Sequence, residues 1–579
     1  MSRELKISVG QHSDKGRKET NQDFHGALIP EEPLLGMKGV AIALADGISS
    51  SNVSQIASES AVKSFLTDYY CTSESWSVKT SVQRVLAATN SWLNAQTRRS
   101  QYFYDKDKGY VCTFSAIVIK STTAHLFHIG DSRIYRVSGN ALEQLTEDHR
   151  VTVSSEQSYL SRALGINPQI EIDYRAIQAE TGDIFVLATD GVYEHVTSRF
   201  VTSAITDNID DLDKAASIIV REAYAHGSAD NLTIQIVRID ALPSGKASEL
   251  LGNAIELPPP PLLEAREIFD GYRIVRELHG SSRSHIYLAV DIESGEQVAL
   301  KIPSIDLRSD AAYLRRFVME EWAARRIDSP HVLKPRLHAR KRNFLYVVME
   351  FVEGQTLTQW MIDNPKPEIE KVRDIVEQTA RGLNAFHRKE MLHQDLRPDN
   401  IMIDATGTVK IIDFGSTKVA GVVEASRPAA REDILGTQQY TAPEYFIGES
   451  GSRSSDLFSL GVITYQMLTG NLPYGAQIAR ARTRAQYKKI KYTPALDDKR
   501  EIPVWIDSAL KKAVHPDPYK RHDELSEFVF DLRHPNPNYA SADTAPLIER
   551  NPLVFWKLAC LSMVGVIVVL LALLHRASH

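Results

Sequence analysis

The chain has 579 residues, of which 43% are hydrophobic and 24% are charged, and its formal net charge is −6. This length exceeds what one hydrophobic core supports, so two or three domains are expected, and the ordinary composition argues against disorder. The negative charge gives no reason to expect a nucleic acid partner, and the scarcity of cysteine, limited to Cys71, Cys112 and Cys560, is typical of a reducing compartment.

The first 240 residues alternate between predicted strands and helices, and three apolar strands end in an aspartate. These are Asp46, Asp131 and Asp190, and amphipathic helices are predicted over 56–69 and 82–94, after the first of them. Carboxylates at the ends of neighbouring strands would lie close together and repel one another unless cations lay between them. Oxygen ligands favour magnesium or manganese, and a pair of such ions can activate water for attack on phosphorus. The pattern therefore predicts a two-metal hydrolytic site.

Short motifs around these aspartates resemble those of the metal-dependent Ser/Thr protein phosphatases of the type 2C (PPM) family, whose fold is an αββα sandwich. The motifs lie at residues 20–23, 45–47, 130–133, 161–165, 188–191 and 228–231. The resemblance implies that Asp46 bridges both metal ions and that Gly47 lends its carbonyl oxygen. It also implies that Asp190 and Asp230 hold one ion and that Asp23 supports the cluster.

The same resemblance implies a third, weaker metal site completed by Asp131, but several positions depart from the family pattern. Gln22 stands where the family usually has glutamate, which weakens the coordination of one ion or routes it through water. Lys18 aligns with the arginine that grips the substrate phosphate, and Arg17 beside it is the other candidate, since lysine cannot make the bidentate contact. Ile48 stands where some members carry an acid–base histidine, so water is the expected proton donor to the leaving group.

A change of composition at residue 241 marks the end of the first domain. Residues 241–269 contain turn-forming residues and the run Pro258–Pro261, which is typical of a short polyproline II segment. Such a segment makes a semi-rigid spacer rather than part of a core. We therefore expect a linker there, ahead of a second domain over 270–535.

The second domain contains a string of polar residues suited to phosphoryl transfer. Transfer from a nucleotide needs a carboxylate for the acceptor's proton, a cation on the moving phosphate, and an amide and an acid on magnesium. These groups are supplied, in that order, by Asp395, Arg397, Asn400 and Asp413. The apolar runs between them predict a small hairpin over 401–412, which would bring the polar groups to one edge.

This string resembles the catalytic segment of eukaryotic-type (Hanks-type) Ser/Thr protein kinases, which have a bilobal fold, and the likeness extends over about 270–535. The resemblance implies that Lys301 holds the nucleotide phosphates and pairs with Glu320. It implies that Glu350 and Val352 contact the adenine edge at the hinge, and that ATP with Mg²⁺ is the cofactor. The implied phosphate-covering loop contains Gly280, Ser281 and Ser282.

Two features of the second domain depart from the kinase pattern. His279, Ser281 and Ser284 stand where three glycines are expected, so the loop should be stiffer and the nucleotide affinity lower. Gln394 replaces the arginine that in many kinases grips a phosphate on the activation loop. Without that cation a phosphorylated loop has less to bind, so we expect an activity that does not require loop phosphorylation.

The C-terminal end has the composition of a membrane anchor. No charge interrupts residues 558–574, and Trp556 and Lys557 before them suit a membrane interface. At about 1.5 Å per residue, a helix over 553–574 can span a hydrocarbon core of about 30 Å. A flexible tether over 536–552 would precede this helix. The polar start of the chain does not resemble a signal peptide. With the reducing compartment, this predicts a single-pass protein of the cytoplasmic membrane whose catalytic domains face the cytoplasm.

The sequence thus predicts a multidomain α+β protein, with an αββα-sandwich phosphatase domain over 1–240 and a bilobal kinase domain over 270–535, followed by one transmembrane helix. The favoured interpretation is a bifunctional signalling enzyme that phosphorylates serine or threonine on protein substrates and removes the same phosphates. It would use ATP with Mg²⁺ for the first reaction and two Mg²⁺ or Mn²⁺ ions, with a third at the weaker site, for the second. The alternative is a phosphatase regulated by a nucleotide-binding pseudokinase.

Overall fold

The computed structural model of the protein shows two folded domains, the first of which ends at Ala241. It describes residues 4–154, 157–243, 257–281, 284–307, 310–336, 342–420, 439–475, 477–481, 483–487, 489–496 and 502–536, together with Trp556, Ser562 and Met563. Nearly all of the predicted tether and of the predicted transmembrane segment over 553–574 lies outside these residues. No helix in the described part of the chain is both long enough and apolar enough to cross a membrane.

Two stacked antiparallel sheets form the centre of the first domain. Its strands are β1 (Lys6–Asp14), β2 (Phe24–Leu28), β3 (Val40–Ala45), β4 (Phe114–Lys120), β5 (Thr123–Ile129), β6 (Arg133–Ser138), β7 (Ala141–Gln144), β8 (Arg150–Ser154), β9 (Gln157–Leu160), β10 (Asp173–Gln178), β11 (Ile184–Ala188) and β12 (Leu232–Ala241). One sheet has the order β1-β12-β11-β6-β7 and the other β10-β5-β4-β3-β2, while β8 and β9 form a separate hairpin. Strands β3 and β4 are buried along their whole length, which explains why their sequences are continuously apolar rather than alternating.

Helices cover the outer face of each sheet and complete an αββα sandwich. They are α1 (Leu34–Lys38), α2 (Ser54–Cys71), α3 (Val78–Arg99), α4 (Asp190–Tyr193), α5 (Ser198–Asp207) and α6 (Leu212–Ala225). Helices α2 and α3 pack on the sheet that contains β3, and α5 and α6 pack on the sheet that contains β12. The two helices predicted over 56–69 and 82–94 are confirmed, and both are longer than predicted. Between the sheets, Leu44 packs with Leu187 and Val237.

The second domain has the two lobes expected of it. Its first lobe is a sheet of order β13-β14-β15-β16-β17, with strands β13 (Ile268–Phe269), β14 (Tyr272–Gly280), β15 (Ser284–Asp291), β16 (Gln297–Pro303) and β17 (Val347–Glu350), together with helix α7 (Ala311–Arg326). The second lobe contains short strands at its start, β18 (Gly354–Thr356), β19 (Met391–Leu392), β20 (Ile401–Asp404), β21 (Val409–Ile411) and β22 (Lys418–Val419). The predicted hairpin is confirmed as β20 paired with β21, and Gly407 takes a φ of 86° in its turn.

Helices build the rest of the second lobe. They are α8 (Leu357–Asp363), α9 (Ile369–His387), α10 (Pro443–Phe446), α11 (Arg453–Thr469), α12 (Gln477–Arg480), α13 (Arg484–Tyr487), α14 (Val504–Ala513) and α15 (Leu525–Arg533). Helix α11 begins with a capping box between Ser452 and Ser455 and ends at Gly470, which has a left-handed conformation. Most of its residues are buried in the core of the lobe.

Part of the expected spacer packs against the second domain. The carbonyl oxygen of Pro258 accepts a hydrogen bond from the N–H of Leu345 (2.9 Å). Leu263 is buried in the same cluster as Tyr272 and Tyr346. The expectation that the proline-rich segment stays outside any core is therefore wrong for this stretch, because its apolar side chains cover the edge of the first lobe.

A buried ion pair joins the end of the activation segment to the base of the second lobe. Arg521 donates two hydrogen bonds to the carboxylate of Glu444, at 2.9 and 2.8 Å. Both side chains are almost fully buried, at 0% and 4% exposure. A buried charge that loses its partner is strongly destabilising.

Replacing this arginine should therefore unfold the second domain more easily. We expect Arg521→Met to lower its stability by about 3–5 kcal/mol, because Glu444 is left buried without its partner. The matched control is Arg484→Met, which breaks the exposed pair with Glu449 and should cost less than about 1 kcal/mol. The measurement is the shift of the second domain's unfolding transition in urea. Equal shifts for the two variants would contradict the prediction.

Candidate active sites

The acids predicted from the first domain all lie where a strand begins or ends. Asp46 directly follows β3, Asp131 follows β5, and Asp190 is the first residue of α4 after β11. Asp23 and Asp230 come just before β2 and β12. The two stacked sheets thus bring acids from five separate segments into one electrostatically coupled group.

Burial and mutual repulsion make this group a poor place for unpaired negative charge. Burial raises the pKa of Asp46 well above its usual range, and the charges of Asp23 and Asp190 add to the effect. Burial likewise raises the pKa of Asp23 to about 6 and that of Asp190 to about 7. Carboxylates with such shifts gain stability when cations lie between them.

One carboxylate oxygen of the group has no hydrogen-bond partner in the part of the chain that the structure describes. Asp23 Oδ2 accepts a hydrogen bond from Thr189 Oγ1 (3.1 Å). Asp23 Oδ1 is buried and has no hydrogen-bond partner among the described residues. Across those same residues, no three His, Cys, Asp or Glu side chains stand as close together as the ligands of a bound ion. The acids fit a pair of divalent cations by chemistry and burial, and their side chains would have to turn toward the ions.

Of the two cations predicted to bind phosphate, the structure brings one to the acids. Lys18 Nζ forms an ion pair with Asp230 and lies 2.6 Å from Ser49 Oγ. Arg17 instead lies over the ring of Tyr224, with its guanidinium carbon 5.4 Å from the ring centre. Lys18 is therefore the better placed of the two.

The glutamine at the unusual position has its amide directed to the backbone. Gln22 Nε2 donates to Ser51 O (2.6 Å) and to Ser54 Oγ (2.8 Å). The backbone carbonyl oxygen of Gln22 accepts from the N–H of Gly47 (3.2 Å), which holds Gly47 in place beside Asp46. Gln22 thus acts here as a scaffold residue.

Arg150 is the cation that sequence reasoning missed. Its Nε lies 2.5 Å from Asp131 Oδ2, its Nη2 lies 2.8 Å from Asp190 Oδ2, and its Nη1 lies 3.2 Å from Glu194 Oε1. It belongs to the separate hairpin of β8 and β9 rather than to either sheet. Nothing in the local sequence marks it, because the contacts join Arg150 to residues 19 and 40 positions away in the chain. Arg150 thus contacts Asp131 at the place where a third metal site is predicted.

In the second domain, the predicted lysine, glutamate and aspartate come together between the lobes. Lys301 Nζ lies 2.6 and 2.9 Å from the carboxylate oxygens of Glu320 and 3.3 Å from Asp413 Oδ1. Burial alone would lower the pKa of Lys301, but the two carboxylates raise it above its usual range. The lysine is therefore charged and is positioned by helix α7, which carries Glu320.

The catalytic loop is held by a buried aspartate of helix α11. Asp456 accepts hydrogen bonds from the backbone N–H groups of His393 (3.0 Å) and Gln394 (3.1 Å). Gln394 has a positive φ of 66°, a conformation that non-glycine residues rarely adopt outside constrained sites. Asn400 Nδ2 donates to the carbonyl oxygen of Asp395 (2.8 Å), which ties the two ends of the loop together. His393 is fully buried, and its ring packs against Phe386 and Phe414, which is a structural role.

The remaining predicted nucleotide contacts lie at or just after the ends of β14 and β17. Gly280 ends β14, and the Ser281 N–H donates to the carbonyl oxygen of Ser284 (3.0 Å). Ser282 lies outside the described residues. Glu350 ends β17, the neighbour of the Lys301 strand, and Val352 is buried just after it.

Two family models match the chain, one in each half. The model described as "Protein phosphatase 2C" matches residues 11–222, and the model described as "Protein kinase domain" matches residues 272–534. The chain contains a phosphatase 2C domain followed by a protein kinase domain. The predicted order of the two domains is thereby confirmed, while their exact boundaries stay a prediction.

Curated relatives of the kinase domain include two bacterial enzymes. The chain is 28% identical to the serine/threonine-protein kinase PrkC of Bacillus subtilis over 47% of this chain and 41% of the relative. It is 34% identical to PknA of Corynebacterium glutamicum over 35% of this chain and 44% of the relative. The chain thus covers less than half of either relative's length. A crystal structure of the Mycobacterium tuberculosis phosphatase PstP/Ppp is 22% identical and covers 41% of this chain and all of that one, with a TM-score of 0.35.

Because of the repulsion among these acids, Asp46→Asn is expected to change the stability of the phosphatase domain in opposite directions without and with metal. Asp46→Asn should stabilise the metal-free phosphatase domain, because it removes one of several repelling buried carboxylates. With Mn²⁺ at a hundred times its Kd, the wild-type domain should gain about 2.7 kcal/mol, and the variant little. The measurement is the domain's unfolding transition in chelator and in Mn²⁺. Asp183→Asn, at an aspartate paired with Arg136 on the far end of β11, is the control and should leave the Mn²⁺ gain unchanged.

Proposed function

We propose that the chain is a bifunctional signalling enzyme, a Ser/Thr protein kinase and a metal-dependent Ser/Thr protein phosphatase. The observation that supports this proposal is that the charged residues predicted for catalysis lie close together in each domain. The phosphatase domain has a group of buried and half-buried acids whose charges repel one another, and the kinase domain has Lys301 paired with Glu320 beside Asp413. Its substrates would be proteins that carry serine or threonine, free or phosphorylated.

In the phosphatase domain, the acids would hold the ions and the cation would hold the substrate. Asp46, with Asp190 and Asp230, would bind two Mg²⁺ or Mn²⁺ ions, whose chemistry is the activation of water as a nucleophile. Lys18 would bind the phosphate oxygens and position the phosphorus for attack. Since Ile48 offers no proton, the leaving serine or threonine oxygen would take its proton from water.

In the kinase domain, positioning and charge would do most of the work. Lys301 would hold the nucleotide phosphates, while Asn400 and Asp413 would hold Mg²⁺. Asp395 would accept the proton of the substrate hydroxyl as the phosphoryl group moves to it. Arg397 would stabilise the charge on the moving group.

The second candidate is a pseudokinase that binds nucleotide and regulates the phosphatase. One observation favours it: the N–H of Ser281 is engaged with Ser284, whereas a nucleotide phosphate would need that N–H free. The segment 421–438 of the activation loop lies outside the described residues, so the expectation drawn from Gln394 also stays a prediction.

We also propose that residues 553–574 anchor the chain in the cytoplasmic membrane, with both domains on the cytoplasmic side. The support is the uncharged apolar run over 558–574 and the scarcity of cysteine in the rest of the chain. Membrane fractionation of the full chain and of a chain ended at residue 540 tests this. Equal partition of both into the soluble fraction would refute it.

The phosphatase activity should depend on metal and on the acids, and not on the kinase site. Hydrolysis of a phosphoserine peptide with Mn²⁺ should fall to background in Asp46→Asn or Asp190→Asn, because the ions lose their ligands. It should stay unchanged in Asp395→Ala, the matched control. Hydrolysis that persists in chelator would contradict the proposal.

The kinase activity decides between the two candidates. With labelled ATP and Mg²⁺, the Asp46→Asn protein should transfer label to itself or to a protein substrate, since the variant cannot remove it. Adding Asp395→Ala should lower transfer by about 10²-fold or more, because the proton acceptor is lost. Transfer that is absent in both proteins, with nucleotide binding retained, would establish the pseudokinase instead.

A further inference from the structure

The position between Asp131 and Asp190 is filled by a protein cation. Arg150 donates to both carboxylates, at 2.5 and 2.8 Å, and reaches Glu194 at 3.2 Å. Its guanidinium is flat, permanently charged and carries donors on several sides, so it can satisfy three carboxylates at once. Tyr193, next to Glu194, donates its hydroxyl to the Asp131 carbonyl oxygen (3.0 Å), which fixes the same corner.

A divalent ion and this guanidinium cannot share the position. An ion bound by Asp131 would stand at Oδ2, the oxygen that Arg150 Nε contacts at 2.5 Å, and two like charges at that distance repel strongly in a partly buried site. Arg150 contacts Asp190 through Oδ2, so Oδ1 of Asp190 can still hold one of the two other ions. The ion would have to displace an arginine that makes charge-assisted hydrogen bonds to several carboxylates.

We propose that Arg150 takes the place of a third metal ion, so that the phosphatase domain works with two ions. This rests on the proposed metal-dependent function. The same side chain also ties the start of the β8–β9 hairpin to Asp131 and Asp190, without a third ion.

Counting bound ions tests the proposal without measuring activity. Mn²⁺ binding to the full chain, followed by the loss of the free-ion EPR signal up to millimolar concentrations and without nucleotide, should give the same number for the wild type and Asp131→Asn. Arg150→Gln should bind one ion more, and Arg150→Gln with Asp131→Asn should lose it again. The matched control is Arg136→Gln, which breaks an arginine–aspartate pair outside the site and should add no ion.

The outcomes separate this inference from the function beneath it. An Asp131-dependent ion in the wild type, or no additional ion in Arg150→Gln, would overturn the role of Arg150 while leaving a metal-dependent phosphatase. No loss of bound Mn²⁺ in Asp46→Asn relative to the wild type would refute the metal-dependent phosphatase and this inference with it.

A separate observation concerns the contact between the two domains. The turn between α2 and α3 of the phosphatase domain lies against the kinase domain, where Trp76 Nε1 donates to Arg388 O (2.8 Å). The carboxylate of Glu390 accepts from the Ser77 N–H (2.6 Å) and from Thr80 Oγ1 (2.7 Å), at the first turn of α3. A carboxylate is stabilised there by the free N–H groups and the dipole of a long helix.

A second part of this contact reaches the kinase's first lobe. Glu74 forms an ion pair with Arg326, the last residue of α7, and Arg326 also lies over the ring of Trp322 (3.8 Å). Met37 of the phosphatase domain belongs to the hydrophobic cluster that contains Trp322. The phosphatase domain therefore touches the helix that carries Glu320.

The same turn also touches the approach to the catalytic loop. Glu390 directly precedes β19, which leads to that loop. The backbone carbonyl oxygen of Glu390 accepts a hydrogen bond from the N–H of Ala420, at the start of the activation segment (3.1 Å). One turn of the phosphatase domain thus contacts parts of both kinase lobes. In this arrangement Lys301 and Glu320 are paired.

We infer that docking of the phosphatase turn 73–80 holds α7 in the position that pairs Glu320 with Lys301, so that the kinase domain depends on its neighbour. Since the lobes of a kinase move relative to each other, a bridge across both reduces the conformations open to α7. Loss of the bridge leaves α7 free to move Glu320 away from Lys301.

Charge reversal across the Glu74–Arg326 pair tests this in the full chain. Glu74→Arg and Arg326→Glu should each raise the amide exchange of α7 and lower label transfer about tenfold, and the double variant should restore both. Asp207→Arg, an exposed charge at the end of α5, is the control for a changed phosphatase charge. Unchanged α7 exchange in Glu74→Arg, or a double variant no better than the singles, would overturn the inference. These variants are made in the Asp46→Asn protein, which cannot remove the label. If that protein transfers no label, the kinase activity proposed above fails, and α7 exchange alone decides this inference.

Discussion

Buried carboxylates that need an opposite charge organise both halves of this protein. In the phosphatase domain, acids from several segments of the two sheets lie together, and the pKa values of Asp23 and Asp190 are raised. The positive charges of Lys18 and Arg150 balance only part of their negative charge. In the kinase domain, Lys301 supplies it directly to Glu320 and Asp413. The first arrangement calls for metal ions from solution, whereas the second is complete until a nucleotide arrives.

The parts of the fold that depend on local sequence could be predicted. Strands such as β3 and β4 are apolar throughout because they are covered on both faces, and helices α2 and α3 show the expected spacing. The acids could be placed at strand ends because each follows an apolar run. Asp46 and Asp131 then share one edge, because β3 and β5 lie on either side of β4 in an antiparallel sheet and run in the same direction. The spacing of residues alone could not give Lys301 a role, and that role came from the resemblance of the sequence motifs to those of protein kinases.

What could not be predicted depends on contacts between distant segments. Arg150 stands in a short hairpin with an ordinary sequence, and only the folded arrangement brings it to Asp131 and Asp190. The choice of Lys18 over Arg17 likewise depends on which side chain the loop directs to Asp230. The proline-rich segment has the composition of a spacer, yet the apolar surface of the kinase lobe near Tyr272 binds it.

The contact between the domains is mainly polar, and such a contact allows the two domains to separate. Each domain has its own hydrophobic clusters, and the described contact between them consists mainly of hydrogen bonds and one ion pair, with Met37 as its apolar part. Polar interfaces between domains of one chain usually allow relative motion. Opposing activities on one chain would cancel if both were always active. If the bridge from turn 73–80 to α7 opened, the kinase reaction would weaken while the acids of the phosphatase site kept their places, so that the two reactions need not run together.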